Sequence, residues 1–173
     1  MKLLIAYATK TGTTLDCAEM LGEHFSGHQV VLADLEKEMP SVSDFDAVVI
    51  GSHVRAGKIH KRAKQFAAEC EGTIGDKRLA LYLCCCFSDV ADDYFKKNYS
   101  EALLERSLTN MCFGGEIRMD RQKGLDKLIM KIAVHAIKSN NQSEDRDVDI
   151  PMPAILPENI RRMADAIKQG GTV

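Results

Sequence analysis

No run of 18 apolar residues occurs in this 173-residue chain, so no membrane-spanning helix is expected. No charge of one sign dominates either. Lys and Arg number 23 against 25 Asp and Glu, and a formal net charge of −2 gives no general affinity for nucleic acid. The six cysteines (Cys17, Cys70, Cys84, Cys85, Cys86 and Cys112) contain no C-x-x-C spacing, and three of them are consecutive. That arrangement suits neither a zinc site nor a disulfide framework, so no metal is expected. Most of these cysteines fall within apolar runs and read as reduced core thiols of a cytoplasmic protein. No A-x-A-like cleavage site follows the short apolar start at residues 1–8, which reads as a strand and not as a signal peptide. There are no internal repeats, no low-complexity segments, no Walker A loop and no G-x-G-x-x-G. What remains is 45% hydrophobic and 28% charged. That is ordinary for a globular chain, and residues 1–173 suffice for a single domain with a full core.

The informative stretch is Leu3 to Thr14. Six apolar residues, Leu3-Leu4-Ile5-Ala6-Tyr7-Ala8, stop in Thr9-Lys10-Thr11-Gly12-Thr13-Thr14. The apolar half reads as a strand buried on both faces. Beyond it, Leu15, Ala18, Leu21 and Phe25 recur near the helical period, so Thr13 to Phe25 reads as a helix. The hydroxyl-rich loop therefore joins the carboxyl end of a strand to the amino end of a helix. Unpaired N–H groups and the positive end of the helix dipole converge there, and a phosphate dianion suits that point. An ordinary βα turn with threonine caps is the alternative.

The rest of the chain alternates regularly. Strands are expected at 29–35, 46–51, 79–86 and 110–117, and helices at 61–71, 92–106 and 157–168. Only a short helix or an irregular connection fits 36–45. Five apolar strands alternating with helices argue for a parallel sheet covered on both faces, an α/β architecture. About 40 residues, 118–156, separate the fifth strand from the closing helix, where a short loop would suffice. Within them Leu125 to Lys138 is a helix candidate, broadly apolar with Lys127, Lys131 and Lys138 in one narrow sector. Residues 118–138 carry six basic and two acidic residues.

Thr9-x-Thr11-Gly12-x-Thr14 resembles the T-x-T-G-x-T loop of flavodoxin-like proteins and stands in the same place, after the first strand. The resemblance implies a flavodoxin-like three-layer α/β/α sandwich with strand order 2-1-3-4-5 and a helical insertion after the fifth strand. It also implies flavin mononucleotide (FMN) as cofactor, its phosphate held by Thr9, Lys10, Thr11, Gly12, Thr13 and Thr14. By the same analogy the loop after the third strand, Ser52-His53-Val54-Arg55-Ala56-Gly57, runs along the edge of the isoalloxazine ring. Arg55 or His53 would there stabilise the anionic reduced flavin and raise its potential. A solvated basic loop is the alternative for either side chain. The loop after the fourth strand offers Cys86, Phe87 and Ser88, with Phe87 as the stacking candidate. Cys86 is open to a redox role or to plain packing, and Tyr82 is expected in the core.

Gly51-Ser52-His53-Val54-Arg55-Ala56-Gly57-Lys58-Ile59-His60 further resembles the G-x-x-[IV]-R-x-G-x-x-H stretch of menaquinone-dependent protoporphyrinogen IX dehydrogenases. These form a flavodoxin-fold branch with an insertion after the last strand. Leu128-Ile129-Met130-Lys131 resembles the sequence of that insertion. The family's aromatic residues have no counterpart in Arg118-Met119-Asp120-Arg121-Gln122-Lys123. The resemblance implies an oxidoreductase of porphyrin biosynthesis with a porphyrin substrate and a quinone as redox partner. The basic, broadly apolar stretch 118–138 suits peripheral contact with the inner face of an anionic membrane, or pairing of its lysines with substrate carboxylates. No side chain stands out as an obligatory base. Packing of the insertion against its own sheet, or against a second copy in an oligomer, is the plainer reading. Two other functions stay open: a one-electron carrier of the flavodoxin type, and a regulatory module that docks a partner through the insertion.

Overall fold

Lys2–Ala8 forms β1, and its alternate side chains enter two different cores. Leu4, Ala6 and Ala8 point into one; Leu3, Ile5 and Tyr7 point into the other. A strand without a polar face is stable only as the middle layer of a sandwich. The computed structural model describes residues 1–86, 88–116 and 153–170. Phe87 and the expected insertion helix over Leu125–Lys138 lie outside the described residues.

In chain order the further elements are α1 (Thr13–Glu23), β2 (Gln29–Asp34), β3 (Ala47–Arg55), β4 (Lys58–Ile59), α2 (Lys61–Glu71) and β5 (Arg78–Cys84). They continue with α3 (Ala91–Asn98), α4 (Glu101–Arg106), β6 (Thr109–Cys112) and α5 (Pro157–Gln169). The sheet runs β2-β1-β3-β5-β6, all parallel, with β4 antiparallel on β3. With β4 set aside, this is the expected order 2-1-3-4-5. On one face α2 contributes Ala63, Phe66, Ala67 and Cys70, and α3–α4 contribute Phe95, Tyr99 and Leu103. On the other, α1 supplies Cys17, Ala18 and Leu21, and α5 supplies Ile160, Met163, Ala164 and Ile167. Tyr82 is fully buried on that second face, stacked on Phe113 with ring centroids 4.5 Å apart.

Several ends shift by one or two residues, the strand expected at 79–86 stopping at Cys84, and three differences have a local reason. β3 does not end at Gly51 but runs on to Arg55, because Val54 and Arg55 pair with Ile59 and Lys58 in a two-residue hairpin. Its central residues Ala56 (φ 47°) and Gly57 (φ 72°) both have positive φ, the twist that suits antiparallel strands joined so tightly. The helix expected over 92–106 is two helices, broken at Tyr99, with the Ser100 hydroxyl capping the second by accepting from Leu103 N–H at 3.2 Å. The last parallel strand stops at Cys112 and not at Ile117. Beyond it Gly114 (φ 76°) turns the chain into an antiparallel bridge with Ile155, and a Cβ there would overlap the Ala154 carbonyl. Residues 36–45 are irregular, as one of the two readings had it, and Val42 and Phe45 tuck under the sheet.

Candidate functional site

The chain order reverses between β1 and β3, and open α/β sheets bind ligands beyond the carboxyl ends of the strands at such a switch point. The register fixes how three loops meet there. Ala8 of β1 lies beside Ser52 of β3, and Ser52 beside Leu83 of β5. The parallel pairing of the three strands therefore ends at nearly one level, and the chain leaving each of them emerges at the same edge of the sheet.

In the first loop Thr9 Oγ1 accepts from the Gly12 N–H at 3.0 Å, closing a tight turn onto α1. Gly12 occupies the N-cap position with φ 96° and gives α1 no side-chain cap. A helix start normally recruits a hydroxyl or carboxylate for its orphan donors; here the two threonines that begin the helix leave theirs unused. Thr13 and Thr14 are 6% and 0% exposed, and among the described residues neither Oγ1 has a hydrogen-bond partner. The two differ in surroundings. The Thr14 hydroxyl lies close enough to the Cys84 thiol to oppose its upward shift, yet makes no hydrogen bond of ordinary geometry. Thr13 Oγ1 is the clearer case of a buried donor left unused among the described residues. Tyr82 braces the turn from below, its hydroxyl donating to the Thr14 carbonyl at 2.8 Å. Lys10 is exposed, and Thr11 is half-buried.

The second loop proves to be the β3–β4 hairpin. The Ser52 hydroxyl is consumed by the fold, accepting from the His60 N–H at 2.9 Å and donating to the His53 carbonyl at 3.0 Å. The side chain of Ser52, one of the residues expected at the cofactor, ties the hairpin together. His53 Nδ1 sits 3.3 Å from the Ala8 carbonyl. Burial lowers its pKa; the Ala8 carbonyl opposes this, and His60 and Lys10 add to the lowering. This lowering disfavours the cationic form of His53, whereas Arg55 is exposed at the hairpin tip beside Ala56. Val54 packs inward, touching the cluster of Cys85, Ala91 and Cys112. His60 caps α2, its Nδ1 accepting from Arg62 N–H at 3.3 Å while Nε2 lies 3.1 Å from Glu36 Oε1.

One supporting residue is absent from the sequence reading. Asn98, 7% exposed at the end of α3, donates from Nδ2 to the Gly57 carbonyl at 3.0 Å and to the Tyr94 carbonyl at 2.8 Å. Its Oδ1 accepts from the Ile59 N–H at 3.2 Å. It thus holds the hairpin turn from behind. A lone asparagine before a helix break carries no sequence signal of that role.

The third loop leaves β5 through Cys85, whose N–H donates to the Gly114 carbonyl at 2.9 Å. Cys86 is half-buried, and burial pushes its thiol up. Ser88 is exposed and opens a short 3₁₀ turn through Val90. Among the described residues no group of three or more potential ligands is placed to hold a metal ion. No helix there is long and apolar enough to cross a membrane.

Comparison with known proteins agrees with this geometry. A short-chain flavodoxin associated with a PDU bacterial microcompartment superposes with a TM-score of 0.57 at 14% identity, covering 98% of this chain and 99% of that one. A mutant flavo di-iron protein from Thermotoga maritima gives 0.50 at 15% identity over 80% of this chain and 36% of that one. Rubredoxin:oxygen oxidoreductase from Desulfovibrio gigas gives 0.48 at 16% identity over 82% and 37%. The chain spans little more than a third of those two larger proteins. No curated protein sequence matches it. The family model described as the flavodoxin domain matches residues 4–144. With the parallel sheet in the order just described and the threonine loop at its switch point, this match over most of the sequence means that the chain belongs to the flavodoxin domain family.

Proposed function

We propose that the chain is an FMN-dependent oxidoreductase, with the flavin phosphate seated in the 9–14 loop. The observation that carries this is the Thr13 hydroxyl, buried without a partner among the described residues in the first turn of a helix that has no side-chain cap. A phosphate oxygen there would accept from the hydroxyl and from the orphan N–H groups, in the favourable field of the helix dipole. The residues present fit the group. Thr9 shapes the turn, Gly12 supplies the left-handed backbone, and Thr11, Thr13 and Thr14 surround the anion site. The hairpin peptides at Arg55–Gly57 and the chain at Cys86–Ser88 would border the ring. When bound, FMN supplies the hydrogen- or electron-transfer chemistry. The protein's part is to bind it, orient it and set its electrostatics. Arg55 places a permanent positive charge at the hairpin tip, where it favours a reduced, anionic ring.

For the substrate we take the reading that the 51–60 stretch suggests. The chain removes hydrogen from an organic donor of the protoporphyrinogen type and passes the electrons to a quinone. A net charge of −2 supports this over a dedicated carrier, which would need a strongly acidic face to dock basic partners. The 118–138 segment, six basic residues to two acidic, is the proposed meeting place with substrate carboxylates or an anionic membrane surface. The test is the FMN-loaded protein with protoporphyrinogen and a menaquinone analogue, followed by porphyrin fluorescence. Turnover supports the reading. Full flavin loading without turnover overturns it. A one-electron-reduced form accumulating in a reductive titration then assigns the carrier role.

A further inference from the structure

Strand β5 ends in three consecutive cysteines, and the pleat sends the first two to opposite faces. Cys84 meets Cys17 of α1, sulfur to sulfur 3.6 Å apart. Cys85 meets Cys112 at the end of β6, 3.3 Å apart, in a small cluster with Ala91, Val54 and Tyr94. These two thiol pairs differ in chemistry. Cys17 is 0% and Cys84 5% exposed, and the Cys84 thiol is pushed well up, first by its contact with Cys17 and then by burial. That pair is inert packing. Cys112 goes the other way. Its sulfur accepts from the Gly114 N–H at 3.3 Å and lies against the Cys85 thiol. The Cys85 contact lowers its pKa, burial opposes this and the Gly114 N–H adds to the lowering, bringing it to about 7. That direction favours the thiolate, the form that reacts. Cys85 and Cys112 each retain 7% exposure.

The backbone is built for this approach. Gly114 and Gly115 carry the chain past the third loop, and a Cβ at Gly115 would lie 3.0 Å from the Cys85 carbonyl carbon. The Cys85 N–H to Gly114 carbonyl bond and the Asn159 Nδ2 to Cys112 carbonyl bond, 2.9 and 2.8 Å, hold the two segments in place. To reach a disulfide length of about 2.05 Å the sulfurs need close by only a little over an ångström.

We propose that Cys85 and Cys112 form a dithiol site that a hydroperoxide oxidises to an intramolecular disulfide, tying the loop after β5 to the exit of β6. The Cys112 thiolate attacks one peroxide oxygen. The O–O bond breaks, Cys112 becomes a sulfenic acid, and the departing alkoxide takes a proton from solvent to leave as an alcohol. The Cys85 sulfur then attacks the Cys112 sulfur. The S–S bond forms, the S–O bond breaks, and hydroxide leaves with the Cys85 proton as water. Two thiols and one hydroperoxide give one disulfide, one alcohol and one water; the peroxide gains the two electrons that the sulfurs lose. Cys86, more accessible but with its thiol raised by burial, is a bystander in this scheme. The site does not depend on the flavin.

The experiment uses the full chain, reduced and then exposed to a few equivalents of hydrogen peroxide. The remaining thiols are alkylated in denaturant, and the cross-linked peptides are assigned by fragmentation. The expected product joins Cys85 to Cys112 with loss of two hydrogens, is reversed by dithiothreitol, and leaves Cys17, Cys70 and Cys84 alkylated. Cys86→Ser should retain the cross-link and Cys112→Ser should abolish it. Its rate in the parent protein should rise with pH over a range lower than that of an ordinary thiol. Recovery of Cys85 and Cys112 in alkylated form, a link through Cys86 instead, or a sulfinic acid at Cys112 without a link overturns the proposal. The parent protein decides the matter even where Cys112→Ser does not fold.

Discussion

A hydroxyl buried without a partner is a cost in the free protein and a gain once an anion reaches it, so Thr13→Val should show opposite signs in the two states. The change keeps the shape of the side chain and deletes the donor. Without FMN the variant should match the parent or exceed it by up to about 1 kcal/mol in urea unfolding. Its affinity for FMN should fall roughly tenfold, about 1.4 kcal/mol, in a flavin fluorescence titration. An unchanged affinity would remove Thr13 from the anion site. His53 makes a pH prediction at the same scale. Burial lowers its pKa in the folded state, with the Ala8 carbonyl opposing and His60 and Lys10 adding to the effect. Below its unfolded value of about 6.5 the unfolded chain then binds more protons than the folded one. The stability tied to a neutral His53 is fully present above that pH and is lost as pH falls through the folded pKa. Urea midpoints measured across that window should drop in the parent and drop less in His53→Gln. Parallel curves would mean that the ring is not buried as described.

At the scale of elements, the β3–β4 hairpin was hard to read in the sequence while its neighbours were not. β1, β3 up to Gly51, and β5 are apolar on both faces, and that composition has few outcomes besides a central parallel strand. Ser52-His53-Val54-Arg55 is polar, and Ala56-Gly57 lacks the Asn-Gly or Asp-Gly signature of a two-residue turn. The hairpin forms because tertiary contacts hold it, above all the two hydrogen bonds that Asn98 makes with the Gly57 carbonyl and the Ile59 N–H. Asn98→Ala leaves the Ile59 N–H and the Gly57 carbonyl without their side-chain partner and should cost about 1–3 kcal/mol in chemical denaturation. FMN affinity should fall with it, because the loosened turn is the one proposed to border the ring. Asn98→Asp keeps the acceptor for Ile59 but turns a carboxylate oxygen on the Gly57 and Tyr94 carbonyls, so it should be no better than alanine. A variant as stable as the parent would show that the turn holds its own shape. The Cys85–Cys112 pair was equally hidden. The two cysteines are 27 positions apart, and only the β5–β6 register brings them together.

For the whole molecule, the pattern of apolar runs and helical spacings sufficed for the layers, and the family resemblance for the strand order. Neither shows which hydroxyls stay unsatisfied, because that depends on the angle at which α1 leaves Gly12. That angle also determines how strongly one ligand group should stabilise the entire fold. The anion site sits where β1 and α1 join, with Tyr82 of β5 braced against the same turn. Binding there is therefore linked to global unfolding and not to a peripheral loop. A ligand specific for the folded state, at a hundredfold excess over its Kd, adds about 2.7 kcal/mol. For a chain of this length each kcal/mol is worth roughly 2–4 °C, so FMN should raise Tm by roughly 5–10 °C. Riboflavin, with the same ring and no phosphate, should give a small fraction of that shift at equal concentration, and Thr13→Val should reduce the FMN increment while leaving the riboflavin increment unchanged. Equal shifts for FMN and riboflavin would mean that the ring alone is recognised. The threonine loop would then be an ordinary turn, and the cofactor would have to be argued from the hairpin instead.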